Sequence, residues 1–321
     1  MLSKNSDPKR ILIVSMTNIG DVVLSCPVID ILCKDFPKAK IDVVVGPKAV
    51  SLFEGNPNFK VKVFEKHGPL SDRFAWFMDL FRSGYDCVVD LRRTMLPILL
   101  LPRYSTPAIN FKSIGGHKKE IHLNRLSQIY YFDQLPEKRY AIQTLKADED
   151  FFKSIVIPFT QGQNFVVMAP GAASSNKRWP VAGWPKVADY FSQQYKIVFV
   201  GDDKDAKIVE EIQQKMHNPS LSLAGKINLR ELAYILQQAS WALTHDSGVM
   251  HLASYFNVPQ VVLWGPTDFN RYAPWSDQFV VVRRNENCER CQNPKKDVEH
   301  NCMSFIQPED VIEAGRSLAI Q

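Results

Sequence analysis

Short, unbroken apolar runs alternate with helical segments along this chain of 321 residues, in two successive series. The runs at residues 11–14 and 40–45 are rich in Ile, Leu and Val, which suits strands of a parallel sheet covered on both faces. Further strands are predicted at 60–64 and 85–91, with an amphipathic helix at 72–82 between them. This alternation indicates an α/β fold with a doubly wound parallel sheet.

A second series of the same kind begins near residue 164. Its strands are predicted at 164–169, 196–200, 221–223, 241–244 and 260–264, and a helix at 308–320 closes the chain. An irregular stretch at about 133–163, with Pro136 and Pro158, separates the two series and is predicted to link them. The sequence therefore predicts two Rossmann-like domains, residues 1–155 and 163–321, with a cleft between them, where ligands preferentially bind.

The composition excludes several classes of protein. The chain is 45% hydrophobic and 23% charged, as in soluble globular proteins, and it has no apolar run near the roughly 20 residues that span a bilayer. The N-terminus lacks an apolar signal core, so we expect a cytoplasmic protein. A net charge of +5 fits a phosphate-bearing partner or an anionic membrane surface, and no nucleic-acid partner is expected.

The turn at Gly20-Asp21 lies between the first strand and the first helix. Asp21 follows the carboxyl end of a strand, where open α/β sheets bind ligands, and the helix dipole favours its charged form. A carboxylate held there could take a proton from a hydroxyl group. The alternative, which this stretch alone favours, is an ordinary helix cap or first-turn charge.

The loop at residues 169–184 follows a predicted strand and combines small residues with cations. Gly171 permits a close approach of the backbone, Ser174 and Ser175 offer hydroxyls, and Lys177 offers positive charge, a combination that suits a phosphate. The spacing of a Walker motif is absent. Taken alone, the loop is more typical of a strand-to-helix connection with ordinary surface cations.

Acidic residues follow the next strand, in the sequence GDDKD at 201–205. Asp202 and Asp203 are candidates to accept hydrogen bonds from ribose hydroxyls, as acids after Rossmann strands do. First-turn acids that merely stabilise a helix are at least as common in this position.

The segment THDSGVMHL at 244–252 opens another helix after a strand. The backbone N–H groups of Ser247, Gly248 and Val249 are predicted to form an anion site for a diphosphate, strengthened by the helix dipole. Asp246 is either a cap or a ligand for sugar hydroxyls. Thr267 and Asp268 follow the next strand and are candidates to contact a sugar or phosphate, although a plain Gly-Pro turn is the alternative.

Together these motifs resemble glycosyltransferase family 9, the ADP-heptose:lipopolysaccharide heptosyltransferases. The resemblance is carried by Asn18-Ile-Gly-Asp21, Asp90-Leu91, Ala169-Pro-Gly171, Lys177-Arg-Trp-Pro180, Asp246-Ser-Gly-Val-Met-His251 and Gly265-Pro-Thr-Asp268. Each motif alone is weak, but the set is specific and extends over nearly the whole chain. The resemblance implies a GT-B fold, which agrees with the two doubly wound domains predicted above.

The resemblance also implies roles. Asp21 matches the general base of an inverting displacement, and Lys177 matches a lysine that neutralises the donor phosphate and the leaving group. Similar enzymes use lysine and helix amides in place of a bound metal, so no metal cofactor is expected and the substrate is ADP-heptose. The donor-binding residues are expected to be Ser174, Ser175, Asp202, Asp203, Asp246, Ser247, Gly248, Val249, Thr267 and Asp268.

The acceptor is expected to bind the first domain. Residues 112–125 are basic and predict a mobile loop that leads into a helix, with a solvated charged face as the alternative. The expected acceptor-binding residues are Asn18, Arg92, Arg93, Lys118 and Lys119. Arg103 and Arg125 are further candidates to receive acceptor phosphates.

The apolar run at residues 95–101 is interrupted by Pro97 and closed by Pro102. It predicts a core helix, and the alternative is a surface patch that touches lipid and is flanked by arginines. A further strand is predicted at 108–111.

The cysteine-rich tail departs from the other motifs. Cys288, Cys291, His300 and Cys302 have a spacing that permits a zinc site, but a structural thiol cluster is favoured.

Three functions remain open. The first is an inverting transferase that moves heptose from ADP-heptose to the lipopolysaccharide inner core, with a lipid-linked lipid A–core acceptor and peripheral contact at the cytoplasmic face of the inner membrane. The second is a family-9 enzyme that uses another nucleotide sugar or glycan acceptor. The third is a non-catalytic nucleotide-binding or redox protein, although the missing G-x-G-x-x-G counts against NAD.

Overall fold

The structure is a computed structural model, and it describes residues 1–3, 6–108, 115–283 and 302–319. The chain forms two compact units, Met1–Gln143 and Thr144–Gln321. Each unit is built on its own parallel sheet with helices, which confirms the predicted α/β class. The division falls inside the stretch predicted to link the domains, and residues 144–155 group with the second unit.

The first unit contains five strands and five helices among its described residues. They are β1 (Arg10–Val14), α1 (Ile19–Asp35), β2 (Lys40–Val45), α2 (Val50–Phe53), β3 (Lys60–Val63), α3 (Leu70–Ser83), β4 (Cys87–Asp90), α4 (Leu96–Leu99), β5 (Tyr104–Ser105) and α5 (Lys118–Ser127). The sheet order is β3-β2-β1-β4-β5, and all of its pairs are parallel. β1 lies at the centre, with Leu12 opposite Asp42 on one side and Val88 on the other, which explains why its apolar run is unbroken.

Helices α3 and α4 cover the same face of this sheet. The β3-to-β4 and β4-to-β5 connections move in one direction along the sheet, and right-handed crossovers then place both helices on one side. A single hydrophobic cluster accordingly contains Leu80 of α3 and Leu96 of α4 together with Val88. The edge strand lies at Tyr104–Ser105, whereas the strand predicted at 108–111 falls largely outside the described residues.

The second unit contains six strands in the part of it that the structure describes. Its elements are α6 (Lys146–Phe151), α7 (Ile157–Thr160), β6 (Phe165–Met168), α8 (Gly183–Phe191), β7 (Lys196–Phe199), α9 (Ala206–Lys215), β8 (Ser220–Ser222), α10 (Leu229–Gln238), β9 (Trp241–His245), α11 (Gly248–Tyr255), β10 (Gln260–Leu263), α12 (Phe269–Tyr272), β11 (Phe279–Val282) and α13 (Pro308–Ala319). The order is β11-β10-β9-β6-β7-β8, again parallel throughout.

Two features of this unit differ from the sequence prediction. About half of the stretch predicted as an irregular linker is helical, since α6 continues through a π-helical turn at Phe152–Val156 into α7. Asp148 of α6 is buried and accepts from Arg230 Nε of α10 at 2.8 Å, which fixes the segment to the second unit. The edge strand β11 was not predicted.

Candidate functional site

Four loops of the second unit lie at the carboxyl edge of its sheet. Residues 169–178 follow β6, residues 201–205 follow β7, residues 246–247 follow β9, and residues 264–268 follow β10. Because parallel strands end at the same edge, the side chains after them share one region. The sequence predicted a donor site from residues in these loops, and the structure brings several of them together.

An ion pair joins two of these loops. Lys177 Nζ donates to Asp246 Oδ2 at 2.7 Å. Asp246 is 8% exposed, and the Lys177 side chain is more exposed than that of Asp246. The pair therefore combines a solvent-accessible ammonium group with a buried carboxylate. A buried carboxylate needs such a partner, because leaving a buried charge unpaired is strongly destabilising.

His245, the last residue of β9, contacts the loop after β6 at two points. The Trp179 N–H donates to His245 Nε2 at 3.0 Å, while Nδ1 lies 3.3 Å from the carbonyl oxygen of Gly171. A carbonyl only accepts, so Nδ1 carries the proton and Nε2 is the acceptor of a neutral ring. Burial lowers the pKa of His245 to about 4, which keeps the ring neutral at physiological pH.

The loop that carries Lys177 is also braced internally. Arg178 donates through Nε and Nη2 to the Ala172 carbonyl oxygen at 2.8 and 2.7 Å. Ser174 Oγ donates to Asn176 Oδ1 at 2.7 Å, and a 3-10 turn at Ser175–Lys177 follows. The predicted donor residues Ser174 and Ser175 are exposed on this loop.

The acidic loop after β7 is organised around Asp205, not around the two acids predicted to bind ribose. Asp205 is buried and accepts from the Asp202 N–H at 3.1 Å, and desolvation raises its pKa. Asp202 Oδ1 accepts from the N–H groups of Lys204 and Asp205, whereas Asp203 is exposed. Ribose binding by Asp202 and Asp203 stays a prediction.

Gly171 is required where the loops after β6 and β7 meet. A Cβ built on Gly171 would lie 2.0 Å from Asp205 Oδ2. No other residue fits that position unless the backbone or Asp205 moves. The sequence prediction missed this organising role of the buried Asp205. Its signal was a third acid, three residues after Asp202.

The N-terminus of α11 supplies the predicted amides. Ser247 occupies the N-cap position of α11 without a side-chain capping bond, and its buried Oγ has no hydrogen-bond partner within the described part of the chain. The first N–H groups of a helix have no partner inside the helix, and the helix dipole favours an anion there. Gly248 and Val249 begin the helix beside Asp246, so the arrangement suits a phosphate.

The loop after β10 approaches the Lys177 loop closely. A Cβ on Gly265 would lie 3.4 Å from the Asn176 carbonyl oxygen. Thr267 Oγ1 is buried and has no partner among the described residues, while the Thr267 carbonyl accepts from Trp264 Nε1 at 3.0 Å. Asp268 Oδ1 caps α12 by accepting from the Asn270 N–H at 3.1 Å. A free hydroxyl at Thr267 is compatible with the predicted donor contact.

In the first unit, Asp21 lies in the first turn of α1 and is partly exposed. Asn18 Nδ2 donates to Asp21 Oδ2 at 3.4 Å, and Asn18, not Asp21, occupies the N-cap position. Asp21 is therefore not the cap, and the structure gives it the first-turn position that the same alternative named. Its carboxylate faces solvent in part, as a base that meets a substrate must.

The predicted acceptor residues of the first unit lie on two elements. Arg92 and Arg93 follow β4, on a turn held by Asp90, which accepts from the N–H groups of Arg92 and Thr94. Lys118 and Lys119 form the first turn of α5. Arg125 is buried, and its guanidinium donates to the carbonyls of Asp90 and Pro107, so it supports the fold and does not receive a phosphate as expected.

Most of the residues predicted as a thiol cluster or zinc site lie outside the described part of the chain. Cys288, Cys291 and His300 lie outside the described residues, and Cys302 is buried in the hydrophobic cluster of the second unit. Within residues 1–3, 6–108, 115–283 and 302–319, no group of three or more His, Cys, Asp or Glu side chains is placed to hold a metal ion. Within the same ranges, no helix is both long and apolar enough to cross a membrane.

The chain is similar in sequence to a known protein family and to curated proteins. Residues 124–301 match the family model for glycosyltransferase family 9 (heptosyltransferase). A lipooligosaccharide heptosyltransferase 2 of Campylobacter jejuni is 26% identical over 94% of this chain and 96% of its own length.

Solved structures match along the whole chain. The glycosyl transferase family 9 protein of Veillonella parvula superposes with a TM-score of 0.81 at 25% identity, over 100% of this chain and 98% of its own. The ADP-heptose LPS heptosyltransferase II of Escherichia coli gives 0.71 at 20% identity, over 97% and 99%. These matches confirm the predicted GT-B fold.

Proposed function

This chain belongs to glycosyltransferase family 9, the heptosyltransferase family, and is a glycosyltransferase; from that premise we propose that it moves a heptose from ADP-heptose to the inner core of lipopolysaccharide. A relative that covers nearly the full length is named a lipooligosaccharide heptosyltransferase, which supports the sugar and the acceptor class. The family motifs support ADP-heptose as the donor.

The observation that carries the proposal is the Lys177–Asp246 pair beside the N-terminus of α11. As the bond from the anomeric carbon to the diphosphate breaks, negative charge grows on the leaving ADP. Lys177 and the amides of Ser247, Gly248 and Val249 are donors prearranged for that charge, and such donors need little reorganisation during the reaction. Asp246 fixes the lysine and is proposed to contact the donor sugar.

Asp21 is the proposed general base. It takes the proton from an acceptor hydroxyl, whose oxygen then bonds to the anomeric carbon on the side opposite the departing diphosphate. The configuration is thereby inverted, ADP leaves, and no metal takes part in the proposed step. The partial exposure of Asp21 at a helix start supports this role, because a base of this kind must reach a bound substrate.

The proposed acceptor is a lipid-linked oligosaccharide, lipid A–core. Arg92, Arg93, Lys118 and Lys119, with Asn18 beside Asp21, are proposed to bind it. Such an acceptor lies in a membrane, so the proposed location is the cytoplasm with peripheral contact at the cytoplasmic face of the inner membrane.

The test is a transfer assay with ADP-heptose and a defined Kdo–lipid A acceptor, combined with calorimetric measurement of ADP binding. We expect Asp21→Asn to lower turnover by about 10²-fold or more while the Kd for ADP stays within about twofold of wild type. Lys177→Met is expected to weaken ADP binding and transfer together, because it removes a cation from the diphosphate in the ground state as well as in the transition state.

Matched controls separate these effects from general damage. Asp72→Asn changes another first-turn acid, in α3, and Lys186→Met changes an exposed lysine of α8; both are expected to behave as wild type. Undiminished turnover in Asp21→Asn would overturn the assignment of the base. Transfer from a different nucleotide sugar, with none from ADP-heptose, would keep the family chemistry and reject heptose.

A further inference from the structure

One face of the first unit presents apolar side chains to solvent. On α3, Leu70, Phe74 and Phe81 are exposed, and helical spacing aligns them in one stripe beside the buried Leu80. Phe74, in the middle of the stripe, is 66% exposed. Native surfaces carry scattered apolar residues, but a stripe of this kind on one helix marks an interaction surface.

Helix α4 continues that face, because α3 and α4 cover the same side of the sheet and share one hydrophobic cluster. The inner side of α4 packs through Leu96 and Pro97. The exposed residues at and beside α4 are Met95, Ile98, Leu99 and Leu101. The prediction of a core helix at 95–101 is therefore wrong for its outer side, and the alternative of a surface patch describes it. We call the exposed residues of α3 and α4 together the apolar face.

The backbone conformation on both sides of α4 keeps its apolar side chains exposed. Arg93 before the helix and Leu101 after it have φ angles of +62° and +48°, a region that bulky residues rarely adopt. Leu101 also precedes Pro102, which adds a further restriction, and it is 80% exposed. Asp90 fixes the turn before α4 through Thr94, whose N–H and Oγ1 donate to its carboxylate. The exposed Leu101 side chain buries too little of its surface to offset the cost of this strained backbone. The strain therefore points to a function of the exposed side chain.

Cations surround the apolar face. Arg93 and Arg103 are exposed on either side of α4, and Arg73 and Arg82 are exposed on α3. The Arg92 guanidinium lies 5.9 Å from the centre of the Phe64 ring, which packs on Trp76 of α3. Acidic residues are present too. Asp79 is paired with Lys62, while Glu65 and Asp72 are exposed.

We propose that the apolar face docks on a bilayer that contains anionic phospholipid, with its aliphatic and aromatic side chains in the headgroup boundary and its arginines on the phosphates. This combination of apolar side chains and nearby arginines is typical of interfacial membrane binding. A second copy of the chain is a poorer occupant, since a two-fold interface would bring the exposed arginines of both copies into one buried interface, where like charges repel. The choice of a bilayer rests on the proposed function, whose acceptor is lipid-linked.

The test is co-sedimentation of the full-length protein with vesicles, without donor or acceptor. Vesicles of phosphatidylethanolamine and phosphatidylglycerol are compared with vesicles of phosphatidylcholine. We expect binding to the anionic vesicles that weakens with salt. Ile98→Ser/Leu99→Ser is expected to lower the partition coefficient roughly tenfold or more, because two apolar side chains no longer enter the boundary.

The matched control is Ile155→Ser/Ile157→Ser, which replaces the same kind of exposed side chain in the second unit and is expected to bind as wild type. Thermal melts check that both variants fold. The proposal is overturned if wild type ignores anionic vesicles, if Ile98→Ser/Leu99→Ser binds as wild type, or if that variant instead dissociates a dimer in size-exclusion chromatography. Transfer to a lipid-free oligosaccharide acceptor should survive in Ile98→Ser/Leu99→Ser, so loss of vesicle binding is distinguishable from failure of the proposed reaction.

Discussion

At the scale of single residues, the second unit depends on a histidine that stays neutral. His245 accepts from Trp179 and donates to Gly171, and its ring packs against Trp184 at a centroid distance of 5.5 Å. These contacts hold both ends of the loop that carries Lys177. The structure therefore gives His245 a positioning role next to Asp246.

The pKa of His245 predicts how stability depends on pH. The folded value of about 4 lies below the unfolded value of about 6.5, so the unfolded chain binds the extra proton first. The stabilisation is complete above pH 6.5 and is lost as the pH falls from about 6.5 to about 4. The size of the loss is of the order of 3 kcal/mol. His245→Gln keeps one donor and one acceptor without titrating, so its unfolding free energy should depend less on pH in this range.

Tryptophan fluorescence during urea unfolding at pH 7 and pH 5 measures this difference. The tryptophans of the second unit dominate the signal, since Trp76 is the one tryptophan outside it. His122 in the first unit also has a pKa lowered by burial, to about 3, but it is common to both proteins and cancels in the comparison. An equal pH dependence in wild type and His245→Gln would contradict the neutral link.

At the scale of elements, the strand–helix alternation predicted both sheets because buried parallel strands are continuous apolar runs. The helices at 146–160 were not predicted, because Pro158 favours an irregular segment when it is considered from sequence alone. In the structure Pro158 lies in the first turn of α7, where a helix needs no proline N–H. Strand β11 was not predicted, although its sequence FVVV at Phe279–Val282 has the aromatic and β-branched residues typical of a strand.

The contact between the loops after β6 and β7 was also beyond the sequence. The motif Ala169-Pro-Gly171 indicated a close backbone approach, but the partner, Asp205, lies in a loop that follows a different strand. Only tertiary packing places the Asp205 carboxylate where a Cβ on Gly171 would be.

This contact predicts coupling between the two loops. Gly171→Ala should cost about 2 kcal/mol of unfolding free energy, because the new methyl group overlaps Asp205. Asp205→Ala should cost about 1 kcal/mol through the lost bond to the Asp202 N–H. The double variant should cost less than the sum, by about 1 kcal/mol or more, since the smaller side chain relieves the overlap.

Urea unfolding of the four proteins completes this double-mutant cycle. Gly115→Ala is the matched control, because none of the described residues lies within 4 Å of its added Cβ, and it should leave stability nearly unchanged. Strict additivity of Gly171→Ala and Asp205→Ala would show that the two loops adjust independently.

At the scale of the whole molecule, the sequence predicted two domains and the family, but it gave the exposed side of α4 only as the alternative to a core helix and gave no sign of the exposed stripe on α3. The run at 95–101 has the composition of a core helix, and its exposure depends on which side of α4 the sheet covers. Sequence periodicity over a four-residue helix is too short to decide that. The location of the division after Gln143 likewise depends on the Asp148–Arg230 pair, which joins residues far apart in the chain.

The division into two units predicts that donor binding and transfer can be separated. Residues 144–321 have their own sheet and their own hydrophobic core, which includes Trp184, Phe199 and Trp241. Expressed alone, they should unfold cooperatively and bind ADP with a Kd within about tenfold of the full chain, because Lys177, Asp246 and the start of α11 all belong to this unit. They should transfer no sugar, because Asp21 lies in the first unit. Calorimetry with ADP is the measurement, and residues 1–143 alone, expected not to bind ADP, are the control. A folded second unit that fails to bind ADP would remove the donor site from the loops described above, whereas transfer by that unit alone would exclude Asp21 as the base.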